Sequence, residues 1–326
     1  MATMKDISKM TGLSSGTISR YINNSGYVSR ESADKIQRAI DEINYIPNEH
    51  ARVLYNKSSN VIGLIVPSLV NPFFAQMATV LEKNLNEKGY SIILYNTNDN
   101  SKEEAKAVNM LRGFRVDGIL VGRPQNRDLL KKVDVPAVSF ETEIGGDVVN
   151  ITADNFLGGM QAFNALYDVG CRKILHIKGP DIFEATELRY KGFKEASNKK
   201  EDVLIETISF SNDFDTEFSV ENVLGSVDLN DYDGIFVFND IAAAISMSYI
   251  TKKGFKIPDD IQVMGFDNSY LCELLSPKLS TIEQPFDEIS KECVDTLISM
   301  IKNEKIEEKT IRVKTNVVLR ESTKKL

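Results

Sequence analysis

Cysteine is scarce in this chain: three occur in 326 residues, Cys171, Cys272 and Cys293, with no two at metal-ligand spacing. That excludes a disulfide framework and a cysteine-based zinc site, and leaves three buried, reduced thiols as the expectation. Histidine is scarcer still, with His50 and His176 alone. One follows the first helical segments and the other lies in a strand-like run, so neither suggests a general base. The chain has no phosphate-loop, zinc-helix or nucleophile-elbow motif, so no catalytic residue, metal or cofactor is expected. It also has no apolar window of about 18 residues, and no apolar stretch of the signal-peptide kind behind Met1 to Asp6. The expectation is a cytoplasmic chain with no membrane partner.

What is present describes a globular protein. Hydrophobic residues make up 42% and charged residues 26%, enough to bury sizeable cores, and the length suggests two or three domains. The formal net charge of −8 is unevenly spread. Residues 1–58 hold eight Lys+Arg against six Asp+Glu, a net of +2, which leaves 31 against 41, or −10, for residues 59–326. Any contact with phosphates therefore belongs to the first segment, and the acidic remainder faces away from nucleic acid.

That first segment reads as three short helices. Thr3 can cap a helix from Met4 to about Met10, with Met4, Ile7 and Met10 inward and a stop at Gly12. Ser14 caps a second helix to about Ile22, with Ile18 and Ile22 inward, followed by the turn-forming run Asn23-Asn24-Ser25-Gly26. Ser29 caps a third, whose stripe is Ile36, Ala39, Ile40 and Ile43 and whose limit is Pro47. Two helices joined by a tight turn near a glycine, inside a three-helix unit, describe a helix-turn-helix module. A small helical cap without a ligand fits the same pattern.

From Val61 onward short apolar runs alternate with amphipathic stretches of helical length. The runs are Val61 to Val66, Ser91 to Tyr95, Gly118 to Val121, Ala137 to Phe140, Lys173 to Ile177, Gly234 to Phe238 and Ile261 to Phe266. This alternation predicts α/β architecture with parallel sheets, in two similar lobes divided near Phe156. Ligands of such sheets bind beyond the carboxyl ends of the strands. Those ends carry Asn71-Pro72-Phe73-Phe74, Glu141, Asn239-Asp240 and Asp267-Asn268. Aromatic faces beside carboxylates and amides suit a sugar or similar polyol. Helix caps and turns account equally well for Asn239-Asp240 and Asp267-Asn268.

The segment KDISKMTGLSSGTISRYINNSGYVSRESADKIQRAIDEINYIPN, within Met4 to Asn48, resembles the DNA-binding head of the LacI/GalR repressors, and IGLIVPSLVNPFF, DGILV, GFDN and STIEQP resemble landmarks of that family's body. The likeness covers essentially the whole chain. It implies a helix-turn-helix head over residues 1–47, a hinge helix and linker over 48–59, and a two-lobed, periplasmic-binding-protein-like body over 60–326. The lobes are expected at about 60–157 with a return near 283–312, and at about 158–282 with the C-terminal strand. The resemblance further implies a homodimer on near-palindromic operator in double-stranded DNA, each second helix lying in the major groove.

Function then carries over position by position. Ser15 and Gly16 match the main base-reading pair, and Arg20 matches a further reader able to form two hydrogen bonds to guanine. Gly16 departs from members with a longer polar group, which puts direct readout at its base pair in question. Thr17, Asn24 and Tyr45 match backbone contacts that fix register. NEHARVLYN, Asn48 to Asn56, matches the hinge, which drives Leu54 into the minor groove as a wedge. In the body, Phe73 and Phe214 match stacking surfaces, and Glu141, Arg189, Asn239, Asp267 and Gln284 match polar contacts to a small-molecule effector. The implied mechanism couples lobe closure around that effector to the spacing of the hinges.

Other readings compete at this level. Glu141 and Asp267 can be read as a glycosidase pair, although the sequence does not fix their separation. A transport-type sugar-binding protein is set aside by the attached head and missing signal peptide. A phosphoprotein corepressor can replace the small ligand within the same kind of repressor. The chain ends soon after VVLRES without a heptad-bearing tail, so a dimer is expected rather than a tetramer.

Overall fold

The computed structural model describes residues 2–23, 25–45, 58–209 and 216–325, with the backbone alone for 216–219. The chain divides into two compact units, Met1–Ser59 and Asn60–Leu326.

In the first unit each helix starts on the cap its sequence supplies. Helix α1 (Met4–Thr11) opens at Thr3, whose N–H and hydroxyl donate to Asp6 Oδ2 at 2.9 and 2.7 Å. It closes at Gly12, whose φ of 71° suits a residue without a side chain. Helix α2 (Ser15–Ile22) is capped by Ser14, whose Oγ accepts from the Thr17 N–H at 3.2 Å. Helix α3 (Arg30–Glu42) is capped by Ser29, accepting from Ser32 at 3.3 Å. Ile7, Ile18 and Ile36, one from each helix, are fully buried at the centre of this unit's core, joined by Ala39 and Tyr45. Met10, expected inward, is 44% exposed. Steps of three residues fall about 60° short of a full turn, so Met10 lies about 120° around the helix from Met4.

The second unit contains two six-stranded sheets. Its elements run β1 (Val61–Val66), α4 (Pro72–Glu87), β2 (Ser91–Asn96), α5 (Ser101–Phe114), β3 (Gly118–Gly122), α6 (Arg127–Leu130), β4 (Ala137–Phe140) and β5 (Val149–Ala153). There follow α7 (Asn155–Asp168), β6 (Lys173–Lys178), α8 (Glu184–Ser197), β7 (Leu204–Ser209), α9 (Thr216–Gly225), β8 (Gly234–Val237), α10 (Asp240–Lys252) and β9 (Gln262–Asp267). The last are α11 (Leu271–Leu274), β10 (Ser280–Glu283), α12 (Phe286–Ile301), β11 (Thr310–Val313) and β12 (Asn316–Val318).

One sheet has the order β11-β5-β4-β3-β1-β2 and the other β12-β10-β9-β8-β6-β7. All pairings are parallel except β10 with β12. Of the eight inner strands, all of them largely buried, β1, β3, β4, β6, β8 and β9 read as mainly apolar runs. Five strands fall outside those runs: β5, β7, β10, β11 and β12 are short or interleaved with polar residues, as in VNITA and LIETIS. The chain passes between sheets after β5, between β10 and α12, and between β11 and β12. Each sheet with its helices is a lobe. No helix among the described residues is long and apolar enough to cross a membrane.

Candidate functional site

Strand order reverses in each sheet where the first strand of the lobe meets the third: at β1 against β3, and at β6 against β8. The loops leaving these strands diverge there and leave a crevice at their carboxyl ends. A cavity of about 580 Å³ occupies that place, lined from one lobe by residues including Asn71, Phe73, Phe74, Asp99, Arg123 and Glu141. The other lobe contributes Phe183, Thr186, Arg189, Phe238, Asn239 and Asp267.

Arg189 lies at the centre of the polar wall. Its helix α8 packs on α7 through two glycines: a Cβ at Gly159 would lie 2.0 Å from the Arg189 carbonyl oxygen, and one at Gly192 would lie 1.9 Å from that of Phe156. This close approach brings Asn155 to the arginine, whose Nε donates to Asn155 Oδ1 at 2.8 Å while Nη1 donates to the Phe238 carbonyl at 2.6 Å. The guanidinium also stacks on Phe266, 3.7 Å from the ring centroid. So held, it reaches Glu141 and Asp267 at 3.8 Å each, from Nη2 and Nη1. That separation is ionic without being a hydrogen bond. Both carboxylates keep lone pairs directed elsewhere, and an inserted hydroxyl can donate to them.

The two carboxylates occupy strained backbone. Glu141 has φ of 72° and Asp267 of 123°, and Asn98, Asp99, Arg123 and Asn268 are also positive, all at strand ends around the cavity. Each such residue costs about 1–3 kcal/mol, and such residues concentrate at functional sites. Burial pushes the Asp267 carboxyl well above the usual carboxylate range, against the attraction of Arg189 and with the repulsion of Asp240 and Glu141. Burial raises Glu141 too, opposed by Arg189, Arg123 and a hydrogen bond with Gln284.

Of the other residues expected here, Phe73 lines the cavity with its ring 5.0 Å from Phe74, edge to face. Asn239 lines it as well while serving as the cap of α10, its Oδ1 accepting from Ala242 at 2.8 Å. Gln284 is fully buried behind Asp267 and donates to its Oδ1 at 2.7 Å, orienting the carboxylate from the rear. Phe214 lies outside the described residues.

Sequence reasoning missed Arg123, Asp99, Asn155 and Phe183. Arg123 Nη2 donates to both Asp99 oxygens at 2.7 and 2.9 Å, and the guanidinium lies over Phe74 at 5.3 Å and over Phe183 of the opposite lobe at 4.3 Å. Its Nε is buried with no hydrogen-bond partner among the described residues. The available signal was position: VGRP ends β3 as the other apolar runs end at Glu141 and Asp267.

Comparison with known proteins bears directly on this geometry. A family model described as bacterial regulatory proteins, lacI family, matches residues 3–48, and one described as a periplasmic binding protein-like domain matches residues 163–323. The ribose operon repressor of Halalkalibacterium halodurans is 33% identical over 99% of this chain and 98% of its own length. The HTH-type transcriptional repressor PurR of Photobacterium profundum is 32% identical over the full length of both. The chain belongs to the LacI family of bacterial regulatory proteins. A periplasmic binding protein/LacI transcriptional regulator from Alkaliphilus metalliredigens, solved in complex with D-xylulofuranose, is 42% identical, with a TM-score of 0.75 over 82% of this chain and 100% of that one. The lac repressor dimer bound to operator shares the fold at 23% identity, with a TM-score of 0.84 over 98% of each chain.

In the head of this LacI-family chain, Ser15, Gly16 and Arg20 are exposed at α2. Among the described residues, the nearest neighbour to a Cβ added at Gly16 is Ser14 Oγ at 3.8 Å. Thr17 is half-buried and pairs its hydroxyl with Ser14 Oγ at 3.0 Å. Tyr45 is 9% exposed, its ring packed in the head's core. Asn24, Leu54 and the hinge segment 48–56 lie outside the described residues.

Proposed function

We propose that this chain is a cytoplasmic, homodimeric transcriptional repressor whose affinity for a near-palindromic operator is set by a free, unphosphorylated sugar of pentose class bound between the lobes. The observation that carries the reading is Arg189, pinned by Asn155 and Phe238 and standing 3.8 Å from both Glu141 and Asp267. This arrangement offers donors and acceptors within one small space and asks for a polyol that supplies both. It does not ask for an anion. Among the described residues the cavity lining includes no lysine, Arg123 is held by Asp99 in two hydrogen bonds, and Arg189 already faces two carboxylates. A phosphate would enter beside buried negative charge. The relatives add their support: one is named for the ribose operon, and one was solved with D-xylulofuranose.

In this reading Phe73 supplies a stacking face and Asn239 an amide, with Asp267, Glu141 and Arg189 taking hydroxyls and Gln284 fixing Asp267. Phe214 is assigned as a second stacking face. Ser15 and Arg20 read bases, Thr17, Asn24 and Tyr45 fix register, Leu54 enters the minor groove, and Gly16 leaves its base pair unread. The effector is bound and released unchanged, so the chain is no enzyme.

Calorimetric titration with D-ribose, D-xylose and D-xylulose, each beside its 5-phosphate, tests the claim. At least one free sugar is expected to bind and its phosphate to bind at least tenfold more weakly, about 1.4 kcal/mol. Preference for the phosphate, or binding of a phosphocarrier protein in place of any sugar, overturns it.

A further inference from the structure

Asp240 touches the candidate site only indirectly, yet it is among the most thoroughly held side chains in the lobe. It is the first residue of α10 and 1% exposed. Its Oδ2 accepts from the Ser269 N–H at 2.7 Å and from the Ser269 hydroxyl at 3.0 Å, and its Oδ1 accepts from the Thr281 hydroxyl at 2.6 Å. Every one of these bonds wants the anion, and the amino end of α10 favours the same form.

The partners are arranged around one point. Ser269 lies two residues after Asp267, and Gly265 two residues before it. At Gly265 an added Cβ would meet Asp240 Oδ1 at 2.6 Å, so glycine is what lets the carboxylate rest on the β9 backbone. Thr281 on β10 is the strand partner of Gly265. Asp240 therefore grips the chain on both sides of a turn in which Asp267 and Asn268 stand at φ of 123° and 58°. Backbone of that kind persists only where its surroundings over-determine it.

We propose that Asp240 is a positioning residue for effector recognition: it locks the strained turn that aims Asp267 into the cleft, and it acts on the ligand only through Asp267. The inference rests on the effector reading above for its binding consequence, but its structural half stands without any ligand. It also divides the labour of Asn239-Asp240, with the amide facing the cavity and the carboxylate facing the turn.

Asp240→Asn in the full chain keeps the side chain's size and turns one acceptor into a donor. Without ligand, hydrogen exchange at the Ser269 amide is expected to rise at least tenfold while the amides in the middle of α10 keep their rates. With the pentose that binds the unmodified chain, the dissociation constant is expected to rise at least tenfold in Asp240→Asn. The double variant with Asp267→Asn is expected to bind no more weakly than Asp267→Asn alone. Ser269→Ala, which removes only the hydroxyl's bond to Asp240, should give a smaller change in the same direction and serves if Asp240→Asn fails to fold. Unchanged exchange at Ser269, or losses that add in the double variant, overturns the proposal. If none of the pentoses binds the unmodified chain, the effector reading fails and the exchange result alone decides the clamp.

Discussion

The two lobes repeat one strand order, so their cavity-facing residues can be paired by position. Arg123 after β3 corresponds to Asn239 after β8, and Glu141 after β4 corresponds to Asp267 at the end of β9. The paired carboxylates meet the same arginine at the same 3.8 Å. The arginines differ. Arg123, in the first lobe, is neutralised locally by Asp99 through two short hydrogen bonds. Arg189, in the second, spends its hydrogen bonds on an amide and a carbonyl and leaves its charge shared. An ion pair closed by hydrogen bonds within one lobe is structural wall; a charge shared with two carboxylates without such bonds is a binding surface. The cores differ as well: the registers place His176 of β6 where β1 has Leu64, with Ile174 beside Gly234 as Ile62 is beside Gly118.

The sharpest way to break this comparison is to remove each arginine. Arg189→Ala takes the shared counter-charge from two buried carboxylates, leaving Glu141 only the attraction of Arg123, and should cost about 3–5 kcal/mol of body stability in denaturant unfolding. Arg123→Ala leaves one carboxylate, Asp99, which still accepts from Gln125 Nε2 at 3.3 Å, and should cost about 1–3 kcal/mol. A larger loss at Arg123 would show that the two roles are assigned the wrong way round. Next in size, Asp267→Asn should weaken pentose binding by about 1.5–3 kcal/mol in calorimetry, because a charged acceptor is lost from a buried site. Asp99→Asn, which alters the pair with Arg123, should change binding far less.

The core difference predicts a pH effect. Burial, with Lys178 adding to it, lowers His176 from 6.5 to about 3, so the folded state holds the neutral ring among Tyr190, Phe193 and Phe236. Because the folded value is depressed for a base, the contribution is complete above pH 6.5 and is lost as pH falls from there toward 3. The loss should reach about 2 kcal/mol by pH 5. Unfolding curves for His176→Phe should be flatter over that window; equal slopes would remove His176 as the cause.

The legible parts of this molecule are those where chemistry sits beside its own signal. Apolar runs mark the doubly covered strands, and their abrupt ends at Glu141, Asn239 and Asp267 mark the cleft. Caps at Ser14 and Ser29 mark the head. Arg189 is different: RYKGF places it through family likeness, while its setting depends on Gly159 and Gly192, whose meeting no local pattern announces. Arg123 and Asp99 are 24 residues apart and become partners only because the strand order sets β2 and β3 on either side of β1. Tyr45 is marked by family likeness as a contact to the DNA backbone, and its share in the small core of the head had no local signal. β7 and β10, LIETIS and STIE, mix polar with apolar residues and carry neither a sustained apolar run nor a regular alternation.

The most direct test of the account is operator affinity, measured at fixed salt on DNA from upstream of the gene encoding this chain, with and without the free pentose that binds the body. The account predicts sequence-specific binding whose affinity moves at least tenfold with the sugar, and a response lost in Asp267→Asn while binding to DNA survives. Operator affinity that stays constant with that sugar bound would contradict it.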